Sequence, residues 1–372
     1  MTTLLVVAGE ASGDRAAAAT VARLAGVHAF GLGGAALARV GVELVADLSA
    51  STALGFGEAA LRSMQIIKAW RRVLRAARMR RPDVALLVNY TEFNTRLAAR
   101  LHADGIPVVW YGAPQIWAWR PRRAERLRRW VDRMAVLLPF EEPLWRAAGV
   151  DARYVGHPAL EPTAKGRTTS RRILSIPEPT VALGILPGSR PHEVTRLLPA
   201  MIEAWRQLAR RSAGLEARVV VAPSLDPRTR DLVRAACETH HLQAFEVDPM
   251  LGAVEVLSAF DAVLCASGTA SLEAALSHAP PVVVYRVGIT TSLVARALLR
   301  SHHIALPNVL LDRRAFPELV GHDASAERMM SAVDDVLTRR SEFLGDCDAV
   351  AGRLASHGLP SENVARMLEP WL

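Results

Sequence analysis

Glycine, small hydroxyl residues and a fixed charge recur together along this chain, and each grouping suits an anion or a sugar. Gly9-Glu10-Ala11-Ser12-Gly13-Asp14 joins two glycines to a hydroxyl and two carboxylates. Glycine lets the backbone turn tightly and brings N–H groups to a helix start, where an anion or sugar hydroxyl is stabilised. The spacing is not G-x-G-x-x-G, so the dinucleotide fingerprint is absent. The plainer reading is a capped strand-to-helix turn, with Ser12 or Asp14 as the cap. In Leu186-Pro187-Gly188-Ser189-Arg190, Gly188 permits close backbone approach and Ser189 can donate. Arg190 adds a forked, permanently charged donor suited to a diphosphate; the alternative is a loop arginine paired with Glu193. In Ser267-Gly268-Thr269-Ala270-Ser271-Leu272-Glu273, small residues again open a helix, and Glu273 is placed to accept from ribose hydroxyls. A capping box is the alternative, although Ala270 breaks its spacing from Glu273. Two phosphate-type loops without a Walker lysine point to a nucleotide-sugar rather than to ATP hydrolysis.

Asn89-Tyr90-Thr91-Glu92-Phe93-Asn94 offers a carboxylate and two amides. Glu92 is a general-base candidate if desolvated, or a solvated surface residue otherwise. Trp110 to Arg120 carries three tryptophans, Trp110, Trp117 and Trp119, which suit a sugar platform, an acyl-chain wall or core packing. The basic run from Arg120 to Arg133 reads as a solvated helix face or a phosphate-attracting rim. Between Leu61 and Arg81, Leu61, Met64, Ile67, Trp70 and Leu74 recur at helical spacing among arginines. That pattern fits a helix on an anionic bilayer, or one with its apolar face in the core. No metal site is expected. His240-His241 and His302-His303 are adjacent pairs whose side chains diverge, and Asp346-Cys347-Asp348 lies in the C-terminal tail, away from any strand end.

Such groupings act together only if strands carry them to one edge. Thr3–Ala8 reads as a buried strand ending at glycine, with a helix over Arg15–Leu24. Pro82-Asp83 opens a second strand, Val84–Val88, and Ile106-Pro107 a third, Val108–Tyr111; Leu137-Leu138-Pro139 ends another. Glu161 to Pro179, with little periodicity, reads as a linker. The alternation restarts with strand Val181–Leu186, helix Glu193–Arg211 and strand Arg218–Ala222. Helix Arg228–His240, strand Ala262–Cys265, helix Ala270–Ser277 and strand Pro281–Tyr285 follow. The expected class is α/β, with two Rossmann-like domains, each a parallel sheet covered by helices. Ligands of such sheets lie beyond the carboxyl ends of the strands, so two domains facing a cleft would place one substrate on each wall.

Composition agrees. A chain of 372 residues, about half apolar, suits two cores. No run of apolar residues is long enough for a membrane span, and the early strand-like Leu4-Leu5-Val6-Val7 argues against a secretory leader. Cys237, Cys265 and Cys347 lie far apart and read as reduced thiols of a cytoplasmic protein. The net charge of +8 fits nucleic acid, an anionic membrane or a phosphorylated substrate, or reflects genome base bias alone.

In this order, the motifs resemble the lipid-A-disaccharide synthase family over nearly the whole chain. The resemblance includes Val7–Asp14, Leu54-Gly55-Phe56-Gly57-Glu58, Pro82-Asp83, Glu92-Phe93-Asn94 and Ile116-Trp117-Ala118-Trp119-Arg120. Leu138-Pro139-Phe140-Glu141, Val155-Gly156-His157-Pro158, Leu186–Arg190, Ala266–Glu273 and Leu306-Pro307-Asn308-Val309-Leu310 complete it. It implies a GT-B-like fold whose C-terminal helix returns to the first domain: residues 1–165 with 345–372 on the acceptor and membrane side, and 172–344 binding the UDP-sugar. The implied reaction joins UDP-2,3-diacylglucosamine to 2,3-diacylglucosamine 1-phosphate (lipid X) with inversion, giving the disaccharide 1-phosphate and UDP, without metal or other cofactor. A homodimer, peripheral on the inner face of the cytoplasmic membrane and not binding nucleic acid, is also implied.

Matching positions assign Gly188, Ser189, Arg190, Ser267, Gly268, Thr269, Glu273 and Asn308 to UDP. Ser12, Gly13, Asp14, Glu58, Trp117 and Trp119 fall on the acceptor side, and Glu10, Asn89, Glu92 and Arg190 are the catalytic candidates. One position departs from the family. Its favoured base is an aspartate where this chain has Asn89, and an amide does not accept a proton at neutral pH. Either Glu92 or Glu10 takes that role, or the aspartate is not the essential base, or this copy is slow or inactive. Another UDP-sugar enzyme of the same fold, or a non-catalytic lipid- or nucleic-acid-binding homologue, are the alternatives.

Overall fold

Leu4, Leu5, Val6 and Val7 are fully buried, as a strand covered on both faces by helices requires. They form β1 (Thr2–Ala8). The computed structural model describes residues 2–47, 59–117, 123–161, 166–212, 214–249, 251–286 and 303–372. After β1 come α1 (Ala11–Val21), β2 (Val27–Gly33), α2 (Ala35–Arg39), β3 (Glu43–Asp47), α3 (Ala59–Arg80), β4 (Val84–Val88) and α4 (Thr91–Ala103). Next are β5 (Val108–Tyr111), α5 (Arg123–Leu127), β6 (Arg133–Val136), α6 (Glu141–Ala147) and β7 (Ala152–Tyr154). The strands form one parallel sheet in the order β3-β2-β1-β4-β5-β6-β7. Leu5 of β1 lies opposite Phe30 on β2 and Ala85 on β4.

The face that α3 turns to the core is only partly the expected stripe: Leu74 is buried and Trp70 packs against the core. Ala69, Val73, Leu74 and Ala77 are buried, whereas Met64 and Ile67 are 50% and 46% exposed. The small residues at four-residue spacing pack on the sheet, and the larger ones of the first described turns face outward.

The second unit holds α7 (Arg167–Ile173), β8 (Val181–Leu186), α8 (Pro191–Ala209), β9 (Leu215–Val221), α9 (Pro227–Thr239), β10 (Gln243–Glu246) and α10 (Val254–Leu257). It continues with β11 (Ala262–Ala266), α11 (Thr269–Leu276), β12 (Pro281–Tyr285), α12 (Leu306–Leu311), β13 (Glu318–Val320), α13 (Ala326–Thr338) and α14 (Arg340–Arg353). Its parallel sheet has the order β10-β9-β8-β11-β12-β13.

Helix α7 corrects the expected linker. Arg171, buried on it, donates to Asp261 Oδ2 at 3.0 Å, to the Ala259 carbonyl at 3.1 Å and to Glu178 at 2.9 Å. Asp261 also accepts from the Ala182 backbone N–H at 2.9 Å and pairs with Arg167 and Arg340. A buried ion cluster joins Leu174 and Ile176, both in the core, in fixing the stretch. Removing one partner leaves a buried charge uncompensated, so Asp261→Ala should destabilise the second unit by about 3 kcal/mol or more. Urea unfolding followed by far-UV dichroism measures this; a loss below about 1 kcal/mol would mean that Glu178 alone balances Arg171.

Met1–Glu161 with Leu354–Leu372 forms one compact unit, and Pro162–Arg353 the other. Residues 345–353, expected with the first domain, belong to α14, which packs on α11 and α12. The return to the first unit is made by α15 (Pro360–Leu368), which lies against α1, β5 and β6. Arg23 donates to Ser361 Oγ at 2.7 Å, Arg133 to the Met367 carbonyl at 2.8 Å, and Asn363 to the Val155 carbonyl at 2.9 Å.

Candidate active site

Strand order fixes where each sheet can bind a ligand. In the first unit the chain runs from β1 outward to β3, then returns to β4 on the other side of β1. The loops after β1 and β4 therefore diverge at the carboxyl edge and leave a crevice. Those loops carry Gly9–Asp14 and Asn89–Asn94. In the second unit the same reversal falls between β8 and β11, where Leu186 pairs with Cys265. The loops there are Gly188-Ser189-Arg190 and Ser267-Gly268-Thr269.

At the first crevice, Asn89 and Tyr90 both hold left-handed backbone, with φ of 49° and 41°. Such strain in non-glycine residues persists only where the surroundings enforce it. Asn94 enforces it by donating to the carbonyls of Val88 and Asn89 at 3.2 and 3.0 Å. Glycines make room for the result. A Cβ on Gly9 would fall 2.4 Å from the Tyr90 ring, and one on Gly112 would fall 2.0 Å from Asn89 Oδ1. On Gly13 it would lie 3.4 Å from Asn89 Nδ2. The Asn89 amide is thus held among the ends of β1, β4 and β5.

The other first-unit candidates separate. Glu10 is exposed at the start of α1, and Ser12 is half-buried two residues later. Asp14 does not face the acceptor side as expected. It is buried, and its carboxylate accepts from the backbone of Gly34 at 2.7 Å and Ala36 at 2.9 Å, which fixes the start of α2. Glu92 is exposed and ion-paired with Arg123, so its carboxylate is already engaged. Glu58 and Trp119 lie outside the described residues.

Trp117 leads to a group with no assigned role in the sequence reading. Its indole N–H donates to Glu141 Oε1 at 3.0 Å, and Glu141 Oε2 accepts from the backbone N–H groups of Leu137 and Leu138 at 3.2 and 3.1 Å. Glu141 is 2% exposed. Burial pushes its carboxyl up from 4.5 to about 7, against the lowering effect of the Trp117, Leu138 and Leu137 donors. His157 shifts the other way, from 6.5 down to about 4, again through burial. The Glu141 contribution to stability is fully present below pH 4.5 and is lost as pH rises through about 7. The His157 contribution is present above pH 6.5 and lost as pH falls through about 4. Glu141→Gln should remove only the first. Relative to the wild type it should gain about 3 kcal/mol between about pH 5 and pH 8. Parallel stability curves for the two proteins, from denaturant unfolding across that range, would refute the assignment.

In the second crevice, Gly188 has φ of 120°, and a Cβ there would sit 2.6 Å from Glu193 Oε2. That same oxygen accepts from the backbone N–H groups of Ser189 and Arg190 at 3.2 and 3.3 Å, while Arg190 Nη1 reaches Glu193 Oε1 at 3.3 Å. The capping carboxylate sits where these donors converge, the kind of seat an anion takes at a helix start. The Arg190 side chain is 66% exposed. Across the crevice, Gly268 has φ of 150°, and Gly268 and Thr269 are exposed at the start of α11. Ser267 Oγ reaches the Ile304 carbonyl at 3.4 Å, and Glu273 is half-buried on the second turn.

Asn308 requires a correction. It is fully buried, donates to the Phe316 carbonyl and Glu318 Oε1, each at 2.8 Å, and accepts from the Phe316 N–H at 2.8 Å. Glu318 also holds the backbone N–H of Ala305 at 2.9 Å. Asn308 shapes the segment beside Ser267 instead of presenting its amide to UDP. No local pattern announced Glu318.

Among the described residues no three His, Cys, Asp or Glu side chains gather into a metal-binding group. Asp346 pairs with Arg313, Asp348 with His278, and Cys347 is buried between them in sequence. No described helix is long and apolar enough to cross a membrane.

Comparison with known proteins identifies the family and the fold. The profile of the family described as lipid-A-disaccharide synthetase matches residues 4–342. The lipid-A-disaccharide synthase of Myxococcus xanthus (strain DK1622) is 41% identical, over 99% of this chain and 98% of its own. That of Anaeromyxobacter dehalogenans (strain 2CP-C) is 42% identical over 96% and 94%. Among solved structures, the UDP-GlcNAc 2-epimerase of Neisseria meningitidis superposes with a TM-score of 0.65 at 13% identity, covering 100% of both chains. Acinetobacter baumannii MurG gives 0.57 at 14%, covering 100% of both. At those identities the likeness is one of fold, two Rossmann-like domains of the GT-B kind. With the profile spanning nearly all of it and relatives above 40% identity at full length, the chain belongs to the lipid-A-disaccharide synthetase family.

Proposed function

We propose that the chain transfers 2,3-diacylglucosamine from UDP to the 6-hydroxyl of 2,3-diacylglucosamine 1-phosphate (lipid X), inverting the anomeric centre and releasing UDP. The observation that carries this reading is the pairing of glycine-bearing loops at the reversal point of each sheet, in a chain of this family. The Gly188–Arg190 and Ser267–Thr269 loops receive the diphosphate at the N-terminal ends of α8 and α11. There the helix dipoles and Arg190 stabilise the charge that grows as the anomeric C–O bond breaks. The incoming phosphates displace the Glu193 carboxylate from the Ser189 and Arg190 N–H groups.

In the first unit Asn89 holds the acceptor hydroxyl, and its proton passes to Glu10. Glu10 is the better base because Glu92 is tied to Arg123, while Glu10 has no side-chain partner among the described residues. The exposed Met64 and Ile67 of α3, beside the exposed Lys68, Arg71, Arg72 and Arg75, suit contact with an anionic membrane surface from which acylated substrates are drawn. A homodimer peripheral on the inner face of the cytoplasmic membrane, with no nucleic-acid partner, completes the reading.

The test incubates the purified protein with both acylated substrates in the presence of EDTA and follows UDP together with the disaccharide. Stoichiometric appearance of both is the expected result. UDP binding without product would point to another acceptor or a retired site, and absence of UDP binding would undo the assignment of the second unit.

A further inference from the structure

Three N–H donors converge on Glu141, and they come from two different loops. The backbone N–H groups of Leu137 and Leu138, just beyond β6, both donate to Oε2. The indole N–H of Trp117, beyond β5, donates to Oε1. Glu141 and Trp145 stand four residues apart on α6, and both are buried. A carboxylate in that position carries a desolvation cost that an apolar side chain would not. The local turn does not require it, because both backbone donors meet a single oxygen. Only an ionised acid accepts on both oxygens; an amide would turn its NH2 toward one set of donors. The second oxygen, and with it the need for an acid, serves Trp117.

Trp117 depends on that tie. Its segment starts at Gly112, whose N–H donates to the Ala135 carbonyl and whose own carbonyl accepts from the Trp110 indole. Across residues 113–117 the sheet supplies no hydrogen bond among the described residues. Ile116 donates to the Pro114 carbonyl within the segment and buries its side chain, and the Trp117 indole makes the remaining link. The segment also leaves from the crevice at Asn89. A Cβ on Gly112 would meet Asn89 Oδ1 at 2.0 Å and Leu137 Cδ1 at 3.6 Å. Glu141 therefore fixes both the backbone of Leu137, which backs Gly112, and the place where Trp117 stands. The Trp117 ring meets Phe140 edge-on, with centroids 5.4 Å apart and planes at 84°. With its N–H engaged, the half-buried indole has only apolar surface left to offer. Such a surface suits an acyl chain or the C–H face of a sugar.

We propose that Glu141 is a positioning residue for the acceptor: by holding the Trp117 indole it sets an apolar wall on the loop that leaves the Asn89 crevice. That the ligand is the acylated amino sugar rests on the transferase reading above; the tether between the two loops does not.

The test uses the full chain with isotope-labelled indole nitrogens, observed by NMR. The Trp117 signal is the one lost in Trp117→Phe. Glu141→Gln should move that signal upfield, because the new NH2 replaces the acceptor Trp117 uses while the remaining oxygen keeps the Leu137 and Leu138 donors. In detergent micelles Glu141→Gln should weaken binding of 2,3-diacylglucosamine 1-phosphate about tenfold, the scale of one hydrogen bond to a charged group, and leave UDP affinity unchanged. In the Trp117→Phe background the same change should cost less than about twofold, since the bond it removes is already gone. An unmoved indole signal, an equal loss for lipid and for UDP, or a tenfold loss that persists without the indole N–H would overturn the assignment. So would a wild type that does not bind the lipid. Product formation from UDP-2,3-diacylglucosamine is read separately. A wild type that shows the coupled loss of lipid binding but makes no product would fail the transferase reading and still support the positioning role; product with uncoupled substitutions would do the reverse.

Discussion

Glu10→Gln should lower kcat by roughly 10²- to 10⁴-fold, the range expected for loss of a general base, while leaving the KM for the UDP-sugar near the wild-type value. The expectation follows from how the first crevice is built. Asn89 occupies the centre of it, strained and wedged between Gly13 and Gly112, yet an amide has no basicity to offer. It can accept a hydrogen bond from the hydroxyl and fix its direction, and positioning alone supplies much of a rate enhancement. The proton still needs a carboxylate. Glu92 is exposed and already bound to Arg123, and Asp14 is buried in the start of α2. Glu10 begins α1 next to Gly9, at the reversal of the sheet. Its charge, set at a helix start, has no side-chain partner among the described residues. Glu92→Gln should accordingly cost less than about tenfold. In the Glu10→Gln background, Asn89→Asp should restore part of the rate, because it puts a carboxylate back at the crevice centre. If Glu92→Gln proves the more damaging single change, the roles of the two glutamates are reversed.

What the sequence disclosed, and what it hid, divides along physical lines. The strands were legible because buried parallel strands are continuous apolar runs, as in Leu4–Val7 and Val84–Val88. The loops were legible because a ligand at a sheet reversal needs glycine and small residues immediately after the strand. Orientation was not legible. A carboxylate or amide at a strand end reads the same whether it faces a ligand or pins backbone, and Asp14 and Asn308 both pin backbone. Contacts distant in sequence were hidden as well. Glu141 lies 24 residues from Trp117, and Asp261 lies 90 from Arg171, so neither pairing leaves a local pattern. On α3 the periodicity was only partly followed: Trp70 and Leu74 of the expected stripe pack on the core, and Met64 and Ile67 do not. Small residues, Ala69 and Ala77, take the core face, and they carry little weight when the eye follows large apolar side chains.

Arg190→Ala should lower kcat by about 10²- to 10³-fold, as removal of a preorganised charge donor does elsewhere, and Arg190→Lys should recover only part of it. With the side chain 66% exposed and held only to Glu193 at 3.3 Å, its loss should leave stability nearly unchanged, because an exposed pair of that kind contributes at most about 1 kcal/mol. The cost therefore falls on the reaction. In the proposed reaction negative charge accumulates on the diphosphate as the bond to UDP breaks, and the backbone N–H groups of Ser189 and Arg190 would supply partial charges where Arg190 would supply a full one. A lysine keeps the charge but not the fork, so one of two phosphate contacts is lost. The geometry also predicts the sign of a companion change. Glu193 occupies, through bonds of 3.2 and 3.3 Å, the N–H groups that the proposed reaction gives to the phosphates. Glu193→Gln, which removes the competing charge yet keeps the oxygen that caps α8, should tighten UDP binding. Calorimetric titration with UDP decides the matter: weaker binding in Glu193→Gln would mean that the carboxylate orders the loop for the phosphates and does not compete with them, and unchanged kcat in Arg190→Ala would move the leaving-group charge entirely onto the helix termini.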